Sequence, residues 1–274
     1  MECKVSKGTI HYEIQGEGFP IVILHAMGTD HRSMKAWVEP VFDDLEGFQR
    51  VYVDLPAHGG SVIDESVTST DDMLENLLEF IDAAMENHEF LLIGSSFGGY
   101  LAQGILHKRR NQAKGICLLA PALHLKERTL PERIVFEKDE DFLETLNSDV
   151  RTAFETLFIY QHKKNFHSFM DEIQPGRLLA NREFLSSDWK TKRYFLSEEP
   201  FFDVKALSHP ALFLLGKQDY ICGYKDHQYL AQKFSDSTLA VLDKAGHMLQ
   251  IEKREVVQQM LKDWLISCHE KKSA

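Results

Sequence analysis

Two rhythms of apolar and polar positions run along this chain. Short runs rich in β-branched residues and leucine, at 21–24, 51–53, 90–93, 115–119 and 211–215, carry no polar face. Such runs predict strands buried on both sides of a parallel sheet. Between them, residues 71–87 place Met73, Leu74, Leu77, Leu78, Ile81, Ala84 and Met85 on one helical face, and residues 97–110 follow a similar pattern. The alternation of strand and helix predicts a doubly wound, mostly parallel α/β sheet. Ahead of it, residues 9–14 alternate as a half-exposed antiparallel strand does, and Gly16 and Gly18 form a turn, so an edge hairpin is expected there.

The rhythm breaks over residues 122–206. This stretch holds charged, aromatic-rich helical segments such as 150–169 but no convincing buried strand, and the sheet resumes at Ala211. The expected organisation is a core of residues 1–121 and 207–274 with a helical cap, 122–206, inserted into it. An insertion at that point overhangs the carboxyl ends of the strands, where doubly wound sheets hold their ligands.

Composition narrows the function. At 274 residues, 43% hydrophobic and 27% charged, the chain has the balance of a globular protein with a large core. A formal net charge of −11 without a basic cluster argues against nucleic acid as a partner. Cys3, Cys117, Cys222 and Cys268 are scattered, with neither metal-ligand pairing nor disulfide density, and fit a reducing compartment. The charged start, Met1 to Lys7, lacks a signal-peptide core, and no run of 18 apolar residues follows. The expectation is a cytoplasmic protein without an integral membrane segment, using neither metal nor cofactor and acting on a small molecule. Its oligomeric state is left open.

One segment carries chemistry. Gly94-Ser95-Ser96-Phe97-Gly98-Gly99 follows an apolar strand and opens a helical pattern, matching G-x-S-x-G in the strand–turn–helix context that gives the motif its meaning. A sharp turn there projects the Ser96 hydroxyl above the sheet, small neighbours let strand and helix pass, and the helix N-terminus favours negative charge. A turn of this kind can also merely pack, or bind phosphate.

With this turn in place the sequence resembles the α/β-hydrolase superfamily, in its serine-nucleophile branch with a helical cap. The resemblance extends over the chain apart from the cap. Leu24-His25-Ala26-Met27-Gly28 is similar to the family's His-Gly oxyanion segment, and Asp54-Leu55-Pro56-Ala57-His58-Gly59-Gly60-Ser61 to its D-x-P-G-H-G-x-S loop. Gly216-Lys217-Gln218-Asp219 resembles the segment supplying the acid, and Ala245-Gly246-His247 the one supplying the base, in the chain order Ser, Asp, His. Ala26 and Ala57 stand where glycine is usual, so the backbone there must avoid positive φ or accept strain.

The resemblance implies a catalytic triad of Ser96, Asp219 and His247, with backbone N–H groups of Met27 and Phe97 as the oxyanion hole. His25 and His58 read as structural residues that hold loops. Asp219 could also serve as a turn cap, while Asp226 and Asp243 read as solvated or capping groups. Cys222 has no adjacent base, and His162 and His167 read as exposed helix positions that could face substrate. The implied activity is a carboxylesterase-like hydrolysis of a small ester. Aminopeptidase and carbon–carbon bond hydrolysis stay open, as does a slow or noncatalytic ligand receptor on the same fold.

Overall fold

The computed structural model describes residues 1–85 and 88–273, the side chains of 271–273 excepted. Its strands are β1 (Glu2–Val5), β2 (Gly8–Gln15), β3 (Phe19–Leu24), β4 (Phe48–Val53), β5 (Val62–Ile63), β6 (Phe90–Ser95), β7 (Ala113–Leu119), β8 (Glu137–Lys138), β9 (Tyr160–Gln161), β10 (Ala211–Gly216) and β11 (Ser237–Leu242). Nine of them form one sheet in the order β1-β2-β4-β3-β6-β7-β10-β11, with β5 also on β2. Every pairing from β4 to β11 is parallel. The protein is thus a doubly wound, mostly parallel α/β sheet, and all five apolar runs are strands in its middle. The edge hairpin pairs β2 with β1. The glycine turn after β2 leads instead to β3, which lies beyond β4 in the sheet.

Alternate residues of each central strand feed opposite cores, as the two-residue period of a strand requires. Val22, Leu24, Leu92, Ile116 and Phe213 pack on one face with α2 (Thr70–Ala84) and α3 (Ser96–Lys108). Ile21, Ile23, Leu91, Cys117 and Leu212 pack on the other against Trp37 of α1 (His31–Val38) and Leu261 and Trp264 of the C-terminal helix. In α2 the predicted face is buried at Met73, Leu74, Leu77, Ile81 and Met85, and Phe80 joins it. Ser69 caps the helix by accepting the Asp72 N–H at 3.1 Å. The last two residues of the expected helix, 86 and 87, lie outside the described residues.

The helix after the glycine turn differs from expectation in having no polar face. It is buried from Ser96 to Leu106 because a return of the chain through Trp189, Leu196 and Phe201 covers its outer side.

After β7 the chain leaves the sheet until β10. It forms α4 (Glu140–Glu144), α5 (Ser148–Leu157), α6 (Lys163–Ser168), a π-turn (Phe169–Ile173), α7 (Gln174–Leu179), α8 (Arg182–Ser186) and α9 (Trp189–Lys192). The stretch 150–169 is not one helix. Phe158 is extended, and the aromatic and β-branched run Phe158-Ile159-Tyr160 takes tertiary partners in place of helical ones. Ile159 donates its N–H to Glu252 at 2.9 Å, while its carbonyl accepts the Phe136 N–H at 2.8 Å. Phe154, Phe158, Phe169 and Ile173 form a small core completed by Met248 and Ile251.

Both ends of this excursion are tied down. The Ala122 N–H donates to the carbonyl of Ser96 at 2.9 Å, and Leu207 bridges to the turn after α10 (His227–Ala231) through bonds with Lys233 and Ser235. The chain closes with α11 (Leu249–Glu252) and α12 (Arg254–Ser273). Among the described residues, no helix is long and apolar enough to cross a membrane.

Candidate active site

Ser96 sits where β6 meets α3, with a φ of +50°. A non-glycine residue in that region carries roughly 1–3 kcal/mol of strain, sustained only where surrounding structure imposes it. Here the imposition is close packing. A Cβ at Gly98 would lie 2.3 Å from the carbonyl oxygen of His25 and 2.6 Å from that of Leu24, so only glycine lets the helix pass β3.

The structure brings Ser96, His247 and Asp219 together across a wide sequence separation. His247 Nε2 lies 3.2 Å from Ser96 Oγ, and His247 Nδ1 lies 2.8 Å from Asp219 Oδ2. Asp219 is fully buried after β10, and its Oδ1 accepts the N–H groups of Ile221 and Cys222, both at 2.9 Å. Burial alone would raise its pKa. The His247 imidazole and these two N–H groups outweigh that and hold the carboxyl below its ordinary value. With Asp219 anionic, the hydrogen bond requires a proton on His247 Nδ1, which leaves Nε2 free to accept from Ser96.

Met27 and Phe97 both line the cavity above Ser96. Phe97 lies in the first turn of α3, whose N–H groups have no partner inside the helix. Met27 occupies a tight turn in which the Thr29 N–H donates to the Ala26 carbonyl at 3.2 Å. Gly28 supplies the positive φ, +74°, as the third position of a type II turn demands. Ala26 therefore avoids positive φ, whereas Ala57 accepts it at +68°.

The loops carrying these groups are fastened by histidines. His25 Nδ1–H donates to the Ala26 carbonyl at 2.8 Å, and its Nε2 accepts the Leu55 N–H at 2.9 Å, tying the turn after β3 to the turn after β4. His58 donates through Nδ1 to the Pro56 carbonyl at 2.9 Å. Asp54 binds the N–H of His31 and of Gly60 as well as the His31 and His11 rings, at 2.8–2.9 Å.

Other sequence candidates fall outside the relay. Asp226 accepts from the N–H and hydroxyl of Thr129 at 2.7 and 2.9 Å, so it tethers a loop rather than capping α10. Asp243 is a surface partner of Lys217. His162 caps α6, His167 is exposed, and neither lines the cavity. Cys222 does line it, beside Ser96, but burial foremost, then Asp219, pushes its thiol up to about 12. It stays protonated and inert. Glu252 was missed by the sequence reading; it accepts the Gly246 N–H at 2.7 Å and so fixes the His247 loop to Ile159. Among the described residues, two groups have spacing compatible with a metal ion, His11/His31/Asp54 and Asp219/Cys222/His247. In both, the aspartate oxygens are already engaged by the hydrogen bonds above.

A strand order with one antiparallel edge, a strained serine after the central β6, and an acid and a histidine delivered by the turns after β10 and β11 define an α/β-hydrolase. The chain belongs to the serine aminopeptidase, S33 family, which residues 20–254 match, and it is a hydrolase by that membership. Relatives carry several activities on this frame. A proline iminopeptidase of Pestalotiopsis fici is 24% identical, covering 96% of this chain and 98% of its own. An (E)-2-((N-methylformamido)methylene)succinate hydrolase of Acinetobacter baylyi is 23% identical over 94% of each. Among solved structures, an α/β superfamily hydrolase of Oenococcus oeni superposes with a TM-score of 0.85 at 26% identity, covering 95% of this chain and 96% of the other. A thermophilic esterase of Thermogutta terrifontis gives 0.73 at 21% identity over 98% and 99%.

Proposed function

We propose that the protein is a serine hydrolase that cleaves small carboxylic esters through an acyl-enzyme. The observation that carries this reading is the unbroken line of hydrogen-bonding atoms from Ser96 Oγ through His247 to Asp219 Oδ2. His247 Nε2 takes the Ser96 proton as Oγ attacks the ester carbonyl. The N–H groups of Met27 and Phe97 receive the oxyanion, which exists only once attack has begun. Collapse of the tetrahedral species breaks the bond to the alkoxy group, and His247 returns the proton to the departing alcohol. Water then enters by the same route and releases the acid. Asp219 stays ionised throughout and stabilises the imidazolium.

The cavity weighs on the choice of bond. It holds about 670 Å³, within the usual range for small ligands, and its apolar walls include Met27, Phe97, Leu157 and Phe195. No carboxylate is among its described lining residues to pair with the free ammonium of an aminopeptidase substrate, and four cations there disfavour one. We assign residues 1–121 and 207–274 to the catalytic core and 122–206 to a cap that sets substrate size. The four scattered cysteines, none in a disulfide among the described residues, support a reducing, cytoplasmic setting.

A fluorophosphonate probe followed by peptide mapping tests the assignment. The adduct is expected on Ser96, and Ser96→Ala should lose both labelling and ester turnover. An adduct on Ser95, or full turnover by Ser96→Ala, would remove the serine from the mechanism.

A further inference from the structure

Four cations line the cavity over Ser96: Lys126, Arg128, Arg177 and Lys190. In a chain of net charge −11, a cavity with four positive side chains and no described carboxylate is a local reversal of sign. The reversal is not a habit of this part of the molecule. Elsewhere between β7 and β10, Lys138 and Arg151 both pair with Glu140, and Lys192 pairs with Asp188, at 2.5–3.2 Å. Among the described residues, none of the four cavity cations has a carboxylate within ion-pair distance.

The two guanidinium groups are half-buried and held in place by neutral partners. Arg128 donates to the Ile221 carbonyl at 3.0 Å and lies 3.7 Å from the Cys222 sulfur, on the wall that carries Asp219. Its loop is anchored one residue further on, where Asp226 grips Thr129. Arg177 donates to Gln174 Oε1 at 2.5 Å and lies over the Phe169 ring. The adjoining Gly176 packs against Asp30 and Thr29, on the oxyanion side of the site. Burial, then Arg182, draws the Arg177 pKa below its ordinary value against the smaller opposing pull of Asp149, the direction expected of a cation removed from water with no carboxylate in direct contact. A planar guanidinium oriented this way matches a carboxylate with two parallel hydrogen bonds.

We infer that the substrate is an anion, a short ester or amide bearing a free carboxylate, which Arg128 and Arg177 receive while the apolar walls hold its carbon chain. The identity of the scissile bond rests on the serine-hydrolase reading above; the preference for an anion does not. The net charge of −11 repels an anion at long range, so the cavity cations act at short range, where salt screens least.

A matched pair of ligands separates the two ideas. Calorimetric titration of Ser96→Ala with monomethyl glutarate and with dimethyl glutarate compares one anion with a neutral ester of the same five-carbon chain, one methyl larger. The monoanion is expected to bind at least tenfold more tightly. Arg128→Gln, and separately Arg177→Gln, should shrink that ratio toward one, with circular dichroism confirming the fold of each. On the wild-type protein, mono-p-nitrophenyl glutarate should likewise exceed p-nitrophenyl pentanoate tenfold or more in kcat/KM. Equal or tighter binding of the diester overturns the inference even if Ser96 is labelled. A retained preference for the monoanion without Ser96 labelling upholds it and rejects the serine mechanism alone.

Discussion

The sheet and the excursion between β7 and β10 are built on different terms. The strands deliver Ser96, Asp219 and His247 on turns that are clamped by backbone, as the lack of room for a Cβ at Gly98 and the buried bonds to Asp219 illustrate. The excursion is a string of short helices around a small phenylalanine core, with Leu130, Ile134, Leu178 and Leu179 left exposed. It contributes Lys126, Arg128, Leu157, Arg177 and Phe195 among others to the cavity wall. On the function proposed above, the first region holds the reacting atoms in fixed geometry, and the second would set what charge and shape reach them.

If the division is real, substitutions in the two regions must fail differently. The largest effect is expected at Asp219→Asn, which should keep the fold yet lower kcat by about 10⁴-fold, since the wrong imidazole tautomer then faces Ser96. Ester turnover beside a circular dichroism spectrum decides it, and near-full activity would mean that the acid is elsewhere. Asp226→Asn is the control for kcat alone, because its side chain holds Thr129 and with it the loop of Arg128, so any effect there should fall on KM.

Phe154→Ala should come next. Removing a fully buried phenylalanine costs roughly 3–5 kcal/mol, and the loss should fall on the excursion. KM is expected to rise while fluorophosphonate labelling of Ser96 persists. Abolished labelling would show that the two regions are one cooperative unit.

Acid should unfold the sheet side through its buried polar groups. Burial above all, then the neighbouring His25, holds His58 down at about 3, against about 6.5 for an exposed histidine. Between those values the unfolded chain binds a proton that the folded chain refuses. This stability is complete above pH 6.5 and falls by up to about 1.4 kcal/mol per unit as the pH drops through the window. Asp54, held low by its hydrogen bonds despite burial, adds the same sign at lower pH. Melting temperatures at pH 7, 5.5 and 4 should decline in order; a flat series would contradict the burial of His58.

The smallest effect is expected at Ala57→Gly. Relief of a left-handed alanine gains about 1 kcal/mol, but the methyl group is buried, and losing it costs about 0.8 kcal/mol. Thermal melting should therefore move little. A large gain would mean that the methyl packs poorly.

The same contrast explains what could be read from the sequence. Gly94, Ser96 and Gly98 are dictated by one local backbone geometry, so a short window contains the whole reason for them. Asp219 follows the strand that the apolar run at 211–215 already marks, and His247 stands out through the Gly246-His247 pair in the chain order Ser, Asp, His. Arg128 and Arg177 satisfy no local rule; they stand out because tertiary packing sets them along the cavity with no carboxylate in ion-pair contact among the described residues. Glu252 escaped notice for the same reason, since its partners, Gly246 and Ile159, are joined only by the fold. The break at Phe158 was hidden because a helical apolar pattern was overridden by tertiary hydrogen bonds to Ile159.

The bonds at the two ends of the excursion have a consequence for how such proteins diversify. Ala122 is fixed to the carbonyl of Ser96, and Leu207 to the turn after α10. On the proposed division into core and cap, a segment moored at both ends to the sheet behaves as a cassette. Its length and lining can be exchanged by insertion, deletion or recombination without redrawing the strands. New chemistry at the scissile bond is hard to reach by that route, but a new clientele of substrates is easy.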